Sequence, residues 1–226
     1  MSEVPVITVD GPSGAGKGTI SHMLADHLGW HFLDSGALYR VTGQACLIEG
    51  VSWEDHEAVT EVARHLDVSF SAGPGGEVLV AYKGRDVSRE IRTEEGGRGA
   101  STVAAIPAVR TALLQRQREF RQAPGLVADG RDMGTVVFAD APLKFFLIAS
   151  AEERAERRYK QLIAKGESVS LPRLLEDIRE RDERDSKREV SPLVPAEDAI
   201  VIDSSATPIP EVFELVMQEV IEKGLK

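Results

Sequence analysis

Apolar runs of strand length recur along the chain at Val4–Val9, Trp30–Leu33, Leu126–Ala128, Phe145–Ala149 and Ile200–Ile202. Several are closed by a short polar residue: Asp10, Asp34, Asp129, Ser150 and Asp203. Segments of helical spacing separate most of them, such as Ile20, Leu24 and Leu28 after the first run. Strands alternating with helices predict βαβ units and a parallel sheet. Ligands of such sheets lie beyond the carboxyl ends of the strands, where these polar residues fall. Ser150 with Glu153 reads as a capping box that starts a helix at Ala151. Near the C-terminus, Phe213, Val216, Met217, Val220 and Ile221 make one helical stripe, stopped by Gly224.

The stretch from about Gly50 to Gly99 breaks this rhythm. His56–Leu66 has a helical pattern, and Val68–Phe70 and Val78–Tyr82 flank Ser-Ala-Gly-Pro-Gly-Gly, a hairpin signal. An antiparallel piece inside an alternating scheme reads as an inserted lobe, either a second ligand-binding element or a decoration.

The first strand runs directly into Gly11-Pro12-Ser13-Gly14-Ala15-Gly16-Lys17-Gly18-Thr19. Strand, glycine-rich turn ending in Gly-Lys, then helix is the context that validates a phosphate-binding loop. Glycines let the backbone amides point inward, and the helix N-terminus adds partial positive charge. Lys17 adds a full charge suited to the outer phosphates of a nucleoside triphosphate. Gly18 departs from the plain pattern and moves the hydroxyl residue one place on, to Thr19.

Composition narrows the partners. A formal net charge of −10 argues against a nucleic-acid partner. Cys46 is the only cysteine, so neither an intrachain disulfide nor a cysteine metal site can form, and the five histidines have no metal-ligand spacing. No apolar run approaches the ~20 residues that span a membrane. The first strand begins almost at Met1, so the expectation is a cytoplasmic protein without a leader.

Several further patterns carry chemistry. Asp34-Ser35-Gly36-Ala37-Leu38-Tyr39-Arg40 follows the second strand; Ser35 suits a helix N-cap, and Arg40 lies one turn in, able to fork onto a phosphate. Asp129-Gly130-Arg131-Asp132 follows the third main strand, where a carboxylate can orient hydrated Mg²⁺. Leu171, Leu174, Leu175 and Ile178 form a core-facing stripe that continues as Arg181, then Arg184 or Asp185, then Arg188. Ion pairing with Glu176, Asp177, Glu180 and Glu183 accounts for the outer face of that helix, but not for arginines on the inner one. Inward arginines should face a cleft holding phosphates. Arg154, Arg157 and Arg158, followed by Lys165-Gly166-Glu167-Ser168, read as a short arginine-bearing lid.

Together, GPSGAGKGT, DSGALYR, EIRTEE with Ser101–Arg110 downstream, ADGRDMGTVVF, and RERDxRDxxR followed by PLVPAEDA resemble the bacterial cytidylate kinases over essentially the whole chain. The resemblance implies an α/β phosphate-loop fold in three layers with a five-stranded parallel sheet. Residues 1–36 and 106–226 would be its core, with a lid at about 154–168, and 37–105 an inserted monophosphate-binding lobe. It implies transfer of the γ-phosphoryl group of ATP to CMP or dCMP, with Mg²⁺ as cofactor, in a monomer. Ser35, Arg110 and Asp132 would read cytosine; Arg181 and Asp185 would hold the ribose; Arg40, Arg131 and Arg188 would grip the acceptor phosphate. Gly11 to Thr19 with Arg157 and Arg158 would bind ATP, and Lys17, Asp129, Arg131 and Arg188 would serve catalysis. Thr19 and Asp129 are the candidates near the metal, directly or through water. Kinases for UMP, AMP or shikimate are the neighbouring alternatives. A non-enzymatic phosphate-loop switch or regulatory ATP-binding module is the more distant alternative. A switch that used GTP would need an Asn-Lys-x-Asp motif, which a chain without asparagine cannot have, and either form leaves the second set of arginines unexplained. One departure from the family pattern is Gly96-Gly97-Arg98-Gly99, where a more helix-compatible run is expected.

Overall fold

The computed structural model describes residues 4–72, 78–164 and 166–225. The chain divides into two compact units, one of Met1–Asp34 with Gln117–Lys226 and one of Ser35–Arg116. It opens with β1 (Val6–Asp10), α1 (Lys17–Leu28) and β2 (His31–Asp34). The second unit follows with α2 (Ser35–Glu49), α3 (His56–Arg64), β3 (Val68–Ala72), β4 (Val78–Tyr82), β5 (Arg85–Asp86), α4 (Glu94–Val103) and α5 (Pro107–Arg118). The chain then returns to the first unit with β6 (Leu126–Gly130), a π-helical turn (Met133–Val137), β7 (Leu143–Ile148), α6 (Ala151–Ala164), α7 (Leu171–Ser186), β8 (Ile200–Asp203) and α8 (Ile209–Glu222).

The first unit is α/β, built on a five-stranded parallel sheet of order β2-β6-β1-β7-β8. Every residue of β1 is buried, which is why it reads as an unbroken apolar run rather than an alternating one. Its neighbours are in register from Val6↔Leu126 to Asp10↔Gly130 on one side, and from Ile7↔Leu143 to Asp10↔Phe146 on the other. Ile7, Val9, Ile20, Leu24, Phe145, Leu147, Val212 and Val216 form one core. All five predicted strands are present, with ends shifted by a residue or two because apolarity does not mark where ladder bonds stop. The Ser150 hydroxyl accepts the Glu153 amide at 3.2 Å, one half of the expected capping box. The other half is replaced, because the Ser150 amide donates to Ser205 Oγ at 3.0 Å and the Glu153 carboxylate accepts from Arg157. In α8 the buried stripe is Val212, Val216, Met217 and Val220, with Phe213 partly buried against the same core; Ile221 is 57% exposed and does not belong to it.

The second unit carries an antiparallel sheet of order β3-β4-β5, with Phe70↔Val80 at its middle. Tyr39, Val41, Cys46, Val59, Val80 and Leu113 are among its core residues. The predicted hairpin strands are there, and residues 73–77 of its connection lie outside the described residues. This unit runs to Arg116, beyond the 105 expected, because Val109 and Leu113 of α5 pack into its core. It begins at Ser35 rather than 37, since α2 starts directly at the end of β2. The run Gly96–Gly99 is helical, within α4, and its reason is close approach. A Cβ at Gly43 of α2 would lie 3.1 Å from the Gly99 carbonyl carbon, and one at Gly99 would lie 2.6 Å from the Trp53 ring. Among the described residues, no helix is long and apolar enough to cross a membrane.

Candidate active site

The loop between β1 and α1 is shaped by residues that only glycine tolerates. Gly11 has φ of +143°, and a Cβ there would collide with the Leu147 carbonyl oxygen at 2.0 Å. Gly14 has φ of +84° and lies against the Arg154 stem. Outside the loop, the Ser204 hydroxyl donates to the Ala15 carbonyl at 2.9 Å, and Arg154 Nη1 donates to the Ser13 carbonyl at 3.0 Å. Lys17 opens α1 and is buried; its Nζ donates to the Pro12 carbonyl at 2.9 Å and lies 3.8 Å from Asp129 Oδ1. Burial first, then the Arg131 guanidinium, press the Lys17 ammonium toward neutrality, against the pull of Asp129 and Asp10. Burial raises the Asp129 carboxyl and Asp34 adds to that, while Lys17 and Arg131 oppose. Gly18 lies beside the same carboxylate, and a Cβ there would come into ordinary contact with Asp129 Oδ2 at 3.4 Å. Thr19 is exposed on the next step of the helix.

β1 also ends in a buried carboxylate that the sequence marks only as a strand end. Asp10 Oδ1 accepts the Met133 amide at 2.9 Å, and Oδ2 accepts the Gly134 amide at 2.8 Å. Burial pushes this carboxyl up to about 7, although those two amides and Lys17 favour its charged form.

The stripe of α7 turns inward as its spacing predicts. Leu174 is buried, Arg181 is half-buried, and Asp185 is 1% exposed. The position left open by periodicity belongs to Asp185; the side chain of Arg184 is 44% exposed. Asp185 accepts from Arg131 Nε at 3.1 Å and pairs with Arg188, whose side chain is 5% exposed. Burial alone would raise the Asp185 carboxyl, but the Arg131, Arg188 and Arg181 guanidiniums outweigh it and hold it below the usual range. Asp132 is buried at the end of β6, just before the π-helical turn.

The arginines of α6 divide. Arg154 is a buried anchor: it pairs with Asp182 of α7 through Nη1 at 3.0 Å and Nη2, and donates through Nε to the Ala149 carbonyl at 2.9 Å. That is a fixed strut beneath the loop rather than the lid arginine its neighbours suggested. Arg157 donates to the Ser204 and Ser205 carbonyls, and Arg158 is half-buried on the same helix. Lys165 of the expected lid lies outside the described residues.

In the second unit, Ser35 is buried as the first residue of α2, one place inside the N-cap position expected. Arg40 Nη1 donates to the Ile91 carbonyl at 2.7 Å. The Arg110 guanidinium lies 5.3 Å from the Tyr39 ring centroid, with Nη1 donating to the Ala104 carbonyl at 3.3 Å. Tyr39 supplies that aromatic face, a role that no short motif announces.

Ser204 lies outside every motif, and the sequence marks Asp10 only as a strand end. Arg154, Asp182 and Tyr39 lie within the patterns read from the sequence, but those patterns do not assign them the anchoring and stacking roles they show here. Asp10 carried a usable signal as the polar residue immediately before the first glycine.

A glycine-rich loop with a buried lysine, seated between the central strand and first helix of a parallel sheet, defines a P-loop nucleotide-binding protein. The family model for cytidylate kinase matches residues 7–222. A protein of Stutzerimonas stutzeri (strain A1501) named cytidylate kinase is 60% identical over 226 residues, which is 100% of this chain and 99% of that one. One of Shewanella sp. (strain W3-18-1) is 60% identical over 225 residues, 99% and 98% of the two chains. One of Pseudomonas aeruginosa (strain UCBPP-PA14) is 59% identical over 222 residues, 98% and 97%. The chain belongs to the cytidylate kinase family. It is a (d)CMP kinase, a transferase of phosphoryl groups from ATP to CMP.

Proposed function

We propose that the chain moves the γ-phosphoryl group of ATP in line onto the phosphate of CMP or dCMP, as a monomer, with Mg²⁺ and an arginine cluster. The bond between the γ-phosphorus and its bridging oxygen breaks, and a bond to an acceptor phosphate oxygen forms. The observation that supports this best is the state of Lys17. It is buried, and a second cation, Arg131, disfavours its charge; an incoming polyphosphate relieves both penalties.

The roles follow from charge. Lys17 and the amides of Gly11 to Thr19 hold the outer phosphates of ATP, with Arg157 and Arg158 beside them. Arg131 and Arg188, oriented by Asp185, take the acceptor phosphate, while Asp185 and Arg181 hold the ribose. Asp132 answers the exocyclic amine of cytosine, a donor where uracil presents an acceptor. In the second unit, Arg40 serves the acceptor phosphate, and Ser35 and Arg110 serve the base. The acceptor phosphate is already an oxyanion, so no general base is needed. Phosphoryl transfer passes through a loose transition state, which leaves the protein to position the groups and neutralise charge. Closure around both nucleotides keeps water out of the reaction.

Thr19 and Asp129 offer hard oxygen donors beside the loop, a set that suits Mg²⁺ when substrate phosphates and waters complete its shell. Bound there, the ion would supply positive charge that offsets the charge of the transferred phosphates.

Steady-state rates with ATP over CMP, dCMP, UMP and AMP test the reading. Catalytic efficiency should be highest for the two cytidine nucleotides. Equal efficiency for UMP or AMP would overturn the base assignment.

A further inference from the structure

We infer that Asp10 is a positioning residue for base selection: by holding the turn after Asp132, it fixes the carboxylate that distinguishes cytosine from uracil. The inference rests on the reading of Asp132 given above.

Asp10 ends the central strand of the sheet, where the side chain has little freedom. Its two oxygens take two consecutive amides, Met133 and Gly134, from a segment 123 residues away. Those amides open the π-helical turn, where a helix leaves its first N–H groups without internal partners. Asp10 therefore caps that turn from another strand. Asp132 is the residue on which the turn closes: its carbonyl accepts the Val136 amide at 2.9 Å and the Val137 amide at 3.1 Å. Moving Met133 and Gly134 moves Asp132 with them.

The far end of the turn is held too, because Arg118 donates to the Val137 carbonyl at 3.1 Å and to the Val136 carbonyl at 3.3 Å. Beneath it there is no clearance. A Cβ at Gly134 would lie 2.8 Å from Thr8 Oγ1, 3.1 Å from Cδ of Lys144 on β7 and 3.4 Å from Asp10 Oδ2. The turn rests on Thr8 and Asp10 of β1 with the Lys144 stem of β7 beside them, so the central strand helps to fix the height of Asp132 as well as its direction. Two amides side by side require two acceptor oxygens on one short side chain, which a carboxylate supplies and an amide does not. Burying that carboxylate is unfavourable for the fold, which fits a residue kept for what it positions.

The test is the ratio of kcat/KM for CMP to kcat/KM for UMP. Asp10 also lies in the field of Lys17, but any effect through ATP is common to both acceptors and cancels in this ratio. Asp10→Asn keeps one acceptor and turns an N–H group toward the other amide. It should lower the ratio about tenfold, while Asp132→Asn should abolish the preference. If Asp132→Asn collapses the ratio and Asp10→Asn slows both acceptors equally, the inference about Asp10 is overturned and the reading of Asp132 stands. If Asp132→Asn leaves the ratio intact, both are overturned. Gly134→Ala guards against a variant that fails to fold, since it lifts the same turn from below and leaves Asp10 in place. It should lower the ratio as well, and Thr8→Ala added to it should restore part of the preference. An unchanged ratio in Gly134→Ala also overturns the inference.

Discussion

Asp185 is a single buried carboxylate among Arg131, Arg181 and Arg188, and this balance decides what its neighbours are worth. Arg188→Met removes one guanidinium from a carboxylate that is 2% exposed, leaving that charge less well compensated. The variant should be less stable by about 1–3 kcal/mol in denaturant unfolding, besides showing a raised KM for CMP. Arg179 lies on the outer face of the same helix, 61% exposed, with Glu152 at 2.6 Å. Arg179→Met should change neither stability nor kinetics measurably, because solvent screens such a pair. Matching losses from the two variants would mean that α7 presents a different face. Periodicity put Arg188 on the inner side and narrowed the position before it to Arg184 or Asp185, because a helix fixes which residues share a side but not which of two adjacent ones faces in. The same reasoning could not find the bond from Asp10 to Met133 or from Arg154 to Ser13, whose partners are distant in sequence and carry no matching pattern.

At the scale of elements, α2 and α4 show why a helix can retain residues that weaken it. Gly→Ala inside a helix normally stabilises by up to ~1 kcal/mol. At Gly99 the new methyl would meet the Trp53 ring at 2.6 Å, and that ring is tethered by its Nε1 donating to the Gly43 carbonyl at 3.0 Å. Overpacking of this kind costs ~1–3 kcal/mol, so the sign reverses. Gly99→Ala should lower the melting temperature, and a rise would show that the two helices have room to separate. The strands, the hairpin and the phosphate loop were legible because each is a local pattern. The ownership of α5 was not, since apolar spacing says that Val109 and Leu113 are buried without saying in which core. Glycines at a close approach are equally silent, because the sequence looks the same whether they bend a helix or let another one near.

For the whole molecule, the order of the sheet has a consequence for synthesis. β1 emerges first, yet its two partners are β6 and β7, with Val6 opposite Leu126 and Ile7 opposite Leu143. Its hydrogen-bonding edges stay empty until more than half the chain has left the ribosome. The unit Ser35–Arg116 is continuous and contains every strand of its own sheet. Contacts close in sequence form before those that must close long loops. Refolding followed by pulsed hydrogen exchange should therefore protect amides of α2 and α4 before those of β1 and β6, and the reverse order would refute this sequence of events. The phosphate loop, although encoded in the first twenty residues, takes shape only when the second half of the chain arrives to support it. A nascent chain interrupted before Leu126 can be compact, yet it has no place to hold a nucleotide.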